Sequence, residues 1–190
     1  MKFLVITANP KSAGRCRAIT DKIIEGAKAG GAEVTEVNVN TMPRCKICGD
    51  GWGTCRDQDK CAFGGDGFDE VRNLALEADA IAMTTPVYWQ EVSEGMKSFI
   101  DRMRRCDKAA MKKPDAKSVV GTPVLLAVSA GGSGRGTIQS LEQLERFCSH
   151  VGMPIFDYLS QNRWNEDYTQ EAAYAAAKAI ASGRKPGDTL

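Results

Sequence analysis

Five short runs of apolar or alternating residues, each followed by a turn and then by a stretch with helical period, divide the 190 residues of the chain. This alternation is what most limits the possible folds. Parallel strands cannot be joined by a tight hairpin and need a long crossover, which a helix supplies. Strands and helices alternating in this way give a three-layer α/β domain with right-handed crossovers. The first run, KFLVIT at residues 2–7, has nothing polar in its middle, as a central strand covered on both faces requires. The others fall at residues 33–39, 79–83, 119–128 and 153–159. Between them the first helix is carried by Ile19, Ile23, Ile24 and Ala27, and further helices are expected over residues 69–77, 93–106, 138–150 and 168–182. The helix over residues 93–106 puts Met96, Phe99, Ile100 and Met103 at core-facing spacing. The length suits one domain spanning residues 1–190, with a cysteine-bearing loop at about residues 41–65.

Charge excludes some functions. With 25 basic against 24 acidic residues and no long run of one sign, neither a nucleic-acid surface nor a polybasic membrane anchor is supported. The opening apolar run stops at Asn9-Pro10-Lys11, short of a secretory h-region, and no stretch approaches a membrane span, so a cytoplasmic protein is expected. One histidine, His150, cannot build a multi-histidine metal site, and its place near a helix end suits a packing or dipole role.

The first strand runs into A-N-P-K-S-A-G-R-C-R at residues 8–17, directly before a helix. Free backbone N–H groups and the positive end of a helix dipole make such a turn a place for a phosphate. Lys11, Arg15 and Arg17 add full charges. An ordinary turn with solvated basic residues reads equally well from this stretch alone. No G-x-G-x-x-G is present, which counts against a classical dinucleotide fold. Gly131 to Thr137 has P-loop glycine spacing but lacks its lysine, and the turn after the first strand lacks the acidic residues of a phosphoacceptor.

The stretch AIAMTTPVYWQEVSEGMKSFID begins as a buried strand, is expected to break at Thr84-Thr85-Pro86, and resumes with helical period after Tyr88-Trp89. Two aromatics on a loop without a strand partner are placed to lie against a flat ligand, or to plug the top of the core. The pattern T-P-V-Y-W-x-x-x-S-x-x-M-K-x-F-I-D-R at residues 85–102 resembles the loop and helix of the NAD(P)H-dependent FMN reductase family and its iron-sulfur flavoprotein branch. The resemblance implies a flavodoxin-like α/β domain with a five-stranded parallel sheet of order 2-1-3-4-5 and a flavin site at the switch between strands one and three. It implies that Asn9, Lys11, Arg15 and Cys16 hold the FMN phosphate, with Arg15-Cys16 standing where the family usually has Asn-Thr. It further implies that Thr85, Pro86, Val87, Tyr88 and Trp89 cover the flavin ring, and that Ala130, Gly131 and Gly132, in the loop over residues 129–134, offer backbone N–H groups to its pyrimidine edge. The activity implied is hydride transfer from NAD(P)H through FMN to a quinone, a flavin or another acceptor, in a homodimer or homotetramer.

Cys45, Cys48, Cys55 and Cys61 lie together between the second strand and the second helix. Four thiolates in one loop are enough for a tetrahedral site. A zinc knuckle, a C-x-x-C redox pair and reduced cysteines lining the flavin all remain open readings. The resemblance implies a 4Fe-4S cluster on these residues, and an electron carrier served by a ferredoxin-like partner as the alternative to the NAD(P)H enzyme. GDGWGT makes the gap between the second and third cysteine longer than in the family. Cys106 and Cys148 are expected on helices as buried or incidental thiols, and Trp52 and Trp164 are candidate interface aromatics.

Overall fold

A computed structural model describes residues 1–46, 48, 55, 61–104 and 117–187. Cys106, Trp52 and most of the basic connection over residues 108–118 lie outside them. The strands are β1 (Lys2–Thr7), β2 (Glu33–Asn38), β3 (Ala80–Tyr88), β4 (Glu91–Val92), β5 (Val124–Ser129) and β6 (Ile155–Gln161). The helices are α1 (Arg15–Ala29), α2 (Phe68–Glu77), α3 (Glu94–Arg102), α4 (Thr137–Val151) and α5 (Glu166–Ala181).

Among the described residues the sheet has six strands, not five. The five long ones are parallel in the order β2-β1-β3-β5-β6, and the two-residue β4 pairs antiparallel with β3. The extra strand exists because β3 does not break at Thr84-Thr85-Pro86 but runs on to Tyr88 before folding back. Pro86 is tolerated because of where its missing N–H would point. Thr84 O accepts from Ala8 N–H on the β1 side at 2.9 Å, so Pro86, two residues on, faces the same side beyond the end of β1. Its Cα partner Ser129 lies on the other side, in β5. The fourth apolar run also begins later than expected. Residues 119–123 form a turn instead, in which Thr122 N–H bonds Val119 O and Gly121 N–H bonds Gly152 O.

Alternation along the strands divides the core. Leu4 and Ile6 of β1 join Ile81, Met83, Leu126 and Val128 on one face, covered by Val71 and Ala75 of α2, Met96 and Phe99 of α3, and Leu141 and Leu144 of α4. Phe3 and Val5 join Ala82, Leu125 and Leu159 on the other, under Ile19 and Ile23 of α1 and Ala173, Ala177 and Ile180 of α5. The strand ends that carry the candidate loops are therefore held in a three-layer sandwich, and β1 and β3 lie side by side at the switch point of the strand order.

Candidate functional site

The loops after β1 and β5 meet at the carboxyl end of β3. Asn9 and Lys11 from the first loop, Arg15 and Cys16 from the start of α1, Pro86 from the end of β3 and Gly131 from the loop after β5 line one cleft of about 280 Å³. The N-terminus of α1 opens there, with Gly14 at its cap, no side-chain cap bond and no acidic residue in its first turn. The positive end of the helix is thus left for an anion from outside the helix.

Beneath the cleft is a buried polar layer. Thr20 Oγ1 donates to Cys16 O at 2.7 Å and lies 2.8 Å from Thr84 Oγ1, while Asn9 Nδ2 donates to Thr20 Oγ1 at 3.3 Å. Gln161, fully buried at the end of β6, donates through Nε2 to Arg15 O at 2.9 Å and to Ser129 Oγ at 3.0 Å. Asn9 Oδ1 and Gln161 Oε1 find no hydrogen-bond partner among the described residues.

The basic residues of the turn differ in what they face. Arg15 Nε is 2.9 Å from Glu166 at the start of α5. Arg17 lines the cleft, but its guanidinium is bonded to Asp21 and Glu36, and the first of these bonds does most to hold its pKa above the ordinary arginine value. Its charge is therefore shared with two carboxylates rather than presented to the cleft, contrary to the expectation that it adds a full one. Lys11 is exposed at the cleft wall. Burial pushes the Cys16 thiol up to about 12, with the Arg17 charge drawing it only partly back. Iodoacetamide at pH 8 is accordingly expected to leave Cys16 unmodified, because a thiolate fraction of about 10⁻⁴ reacts slowly. Mass spectrometry of the alkylated chain checks this, and rapid labelling at Cys16 would refute it.

Thr85 is fully buried. Its hydroxyl accepts from Ser93 N–H at 3.1 Å and lies 3.1 Å from the Ser93 hydroxyl, which caps α3 by accepting from Met96 N–H. Thr85 thus braces the hairpin from behind. Tyr88 is not on an unpartnered loop: it pairs with Glu91, so Trp89 and Gln90 form a two-residue turn. Their φ angles are 52° and 66°, as a type I′ turn requires but side chains of this size seldom adopt. Strain of this kind costs about 1 kcal/mol or more per residue and gathers at functional sites. Trp89 is 99% exposed. The tip is held from outside as well. A Cβ on Gly136, just before α4, would lie 2.4 Å from Gln90 Cα, and Val92 N–H donates to Gln143 Oε1 of α4 at 3.1 Å. Val87 lies half-buried between tip and core. Of the third loop, Ala130 is buried and its N–H already bonds Gln161 O at 2.9 Å, while Gly132 lies beside Arg163.

The four cysteines come together at a second pocket. Cys45, Cys48, Cys55 and Cys61 line it with Lys46, Arg102 and Arg104. Among the described residues no three histidine, cysteine or acidic side chains are placed to hold a metal ion. Cys148 is buried in α4, where burial raises its thiol to about 12, and His150 lies in the last turn of the same helix.

The sequence model of a family described as NADPH-dependent FMN reductase matches residues 1–179. The chain belongs to this family. As an FMN reductase family member it is similar to an iron-sulfur flavoprotein of Methanosarcina thermophila, 33% identical over 150 residues that make up 74% of this chain and 71% of that protein. It is equally similar, 33% over 103 residues, to an iron-sulfur flavoprotein of Archaeoglobus fulgidus, but the match takes in 54% of this chain and 46% of that protein. The chain therefore spans under half the length of the Archaeoglobus relative. Among solved structures a flavone reductase is matched at 19% identity with a TM-score of 0.70, over 95% of this chain and 62% of that one. An archaeal flavodoxin is matched at 15% identity with a TM-score of 0.63, over 95% and 96%. These likenesses show a flavodoxin-like fold. Among the described residues no helix is long and apolar enough to cross a membrane.

Two parts of the FMN reductase scaffold escape a sequence reading. Gln161, which ties the first loop to β5, lies beyond the expected end of its strand, and nothing in its neighbourhood sets it apart. Arg102 was in view as the last residue of the motif at residues 85–102, but a helix pattern does not say that its guanidinium reaches the cysteines.

Proposed function

We propose that this chain binds FMN in the cleft between the loops after β1 and β5 and the end of β3, and passes reducing equivalents from NAD(P)H to a quinone, a free flavin or another oxidant. The observation that carries the proposal is the meeting of Lys11 from the loop after β1, Pro86 from the end of β3 and Gly131 from the loop after β5 on one cleft at a helix N-terminus. Membership of the FMN reductase family supports it, as does Asn9 Oδ1, a buried acceptor at the cleft wall in want of a donor. FMN, when bound, supplies hydride acceptance and the release of electrons singly or in pairs. The chain supplies the rest. Lys11 and the α1 terminus bind the phosphate, Pro86 and the hairpin position the ring and leave one face open, and Tyr88 and Trp89 shape that face. Exposed Trp164, on the same side of the sheet as the hairpin loops, is our candidate contact for a second copy in a homodimer or homotetramer.

Steady-state oxidation of NADH and NADPH by the FMN-loaded protein tests this reading, and absence of turnover with either nucleotide would sink it. Trp89→Ala is expected to weaken FMN retention about tenfold while leaving the unfolding midpoint unchanged, because so exposed a side chain packs on nothing. Tyr168→Ala, also at an exposed aromatic, is the control. Equal retention by the two variants would count against the hairpin.

A second reading is favoured by the cysteine pocket and by the relatives named iron-sulfur flavoproteins. In it the four thiolates hold a 4Fe-4S cluster and electrons arrive from a ferredoxin-like partner. The donor set fits: among the described residues four cysteines and no carboxylate line the pocket, and the other polar side chains there are cationic, as a group with a net negative charge requires. A cluster bound there would be held by Cys45, Cys48, Cys55 and Cys61 and would supply one-electron storage and release. An anaerobic absorption spectrum with iron, zinc and flavin counted per chain separates this reading from a zinc site and from free thiols.

A further inference from the structure

We propose that Arg102 and Arg104 are the charge-setting residues of the four-cysteine site, and that Arg102 also clasps its two ends together. The proposal rests on the cluster reading above. Arg102 is only 5% exposed and is the last residue of α3. Its Nη1 donates to Pro43 O at 3.0 Å, ahead of the first cysteine of the site. Its Nη2 donates to Asp66 Oδ1 at 2.9 Å and points at Cys61 Sγ at 3.7 Å, so the same side chain grips the far end of the segment. Its guanidinium carbon, Cζ, lies 4.3 Å from the centre of the Phe68 ring, a cation–π contact. Arg104 donates through Nη2 to Cys45 Sγ at 3.3 Å. The first and last cysteines of the set are thereby each addressed by a guanidinium from one helix end.

Guanidinium donors aimed at sulfur act on charge as well as on position. Hydrogen bonds to the ligand sulfurs and nearby positive charge favour the more negative, reduced state of a cluster and so raise its potential. Arg102 cannot be relaxed into a simple surface cation, because Asp66 and Pro43 hold it. Burial pushes the Asp66 carboxyl up, but the Arg102 bond and charge, with the Phe68 N–H, outweigh that and keep it ionised.

The test uses the full chain, reconstituted anaerobically with iron and sulfide, and reads iron per chain and the midpoint potential by EPR-monitored titration. Arg104→Gln, at a half-buried position, is expected to keep its iron and to shift the reduced-to-oxidised ratio about tenfold toward oxidised at a fixed potential, which is ~59 mV for a one-electron couple. Arg102→Lys keeps the charge but not the fork that spans both ends, and is expected to lose half or more of its iron. A wild-type chain that takes up no iron overturns the cluster reading and this proposal with it. A wild type that loads normally, with Arg104→Gln unchanged in potential and Arg102→Lys unchanged in iron, overturns the proposal alone and leaves the cluster standing.

Discussion

Gly95→Ala is expected to destabilise the chain by about 3 kcal/mol, the upper end of what overpacking costs. Gly95 lies in the first turn of α3, where a Cβ would come within 2.3 Å of Val39 O and 2.6 Å of both Asn40 Cα and Asn40 O. All three are backbone atoms, so no rotamer change relieves the clash, and either α3 or the exit of β2 must move. The sign is diagnostic, because alanine in a helix is otherwise about 1 kcal/mol better than glycine. Urea denaturation should show a lowered midpoint at unchanged slope. Gly64→Ala, where a Cβ meets only ordinary contacts at 3.5 and 3.6 Å, should change little. A Gly95→Ala chain as stable as wild type would mean that α3 does not pack on β2 as described. The same helix is capped by Ser93, which bonds the Thr85 hydroxyl behind the hairpin, so FMN retention should fall together with stability.

FMN should bind the apoprotein at least about 100-fold more tightly than riboflavin, a difference of about 2.8 kcal/mol. The two ligands differ only in the phosphate. Lys11 and the uncapped N-terminus of α1, with no acid in its first turn, provide the charge-assisted contacts that only the phosphate can use. Fluorescence quenching titrations give both constants. The gap should narrow in 0.5 M salt, since the Lys11 wall of the cleft is exposed and exposed charge is screened. Equal affinities would remove the phosphate from the loop after β1, whatever else the cleft binds. Arg15 and Arg17 should matter less than Lys11, because Glu166, Asp21 and Glu36 already occupy them.

Much of this was open to view in the sequence, because periodicity reports burial. KFLVIT could only be a central strand, and Met96, Phe99 and Met103 could only face inward. The turn before α1 carried its own chemistry in its basic residues and its place between strand and helix. What periodicity does not report is where a strand ends when its neighbour has already stopped. Pro86 looked like a terminator, yet the β1 side of β3 is vacant at that height, so a missing N–H costs nothing there. The turn at Trp89-Gln90 had no glycine or asparagine to announce it, and the close approach of Gly136 and the bond to Gln143 that hold it come from far along the chain. Arg17 and Arg102 carried formal charge in the sequence, but their partners Glu36 and Asp66 are set by topology, which no local pattern encodes.

The clamped hairpin has one more implication. A tryptophan standing in solvent usually belongs to a segment that must stop moving before anything can dock on it. Here the backbone under Trp89 is already immobilised, by β3 on one side and by the start of α4 on the other. A nicotinamide, a quinone or a second subunit arriving at that indole therefore meets a finished surface, and the entropy of ordering the loop has been settled during folding rather than at the encounter.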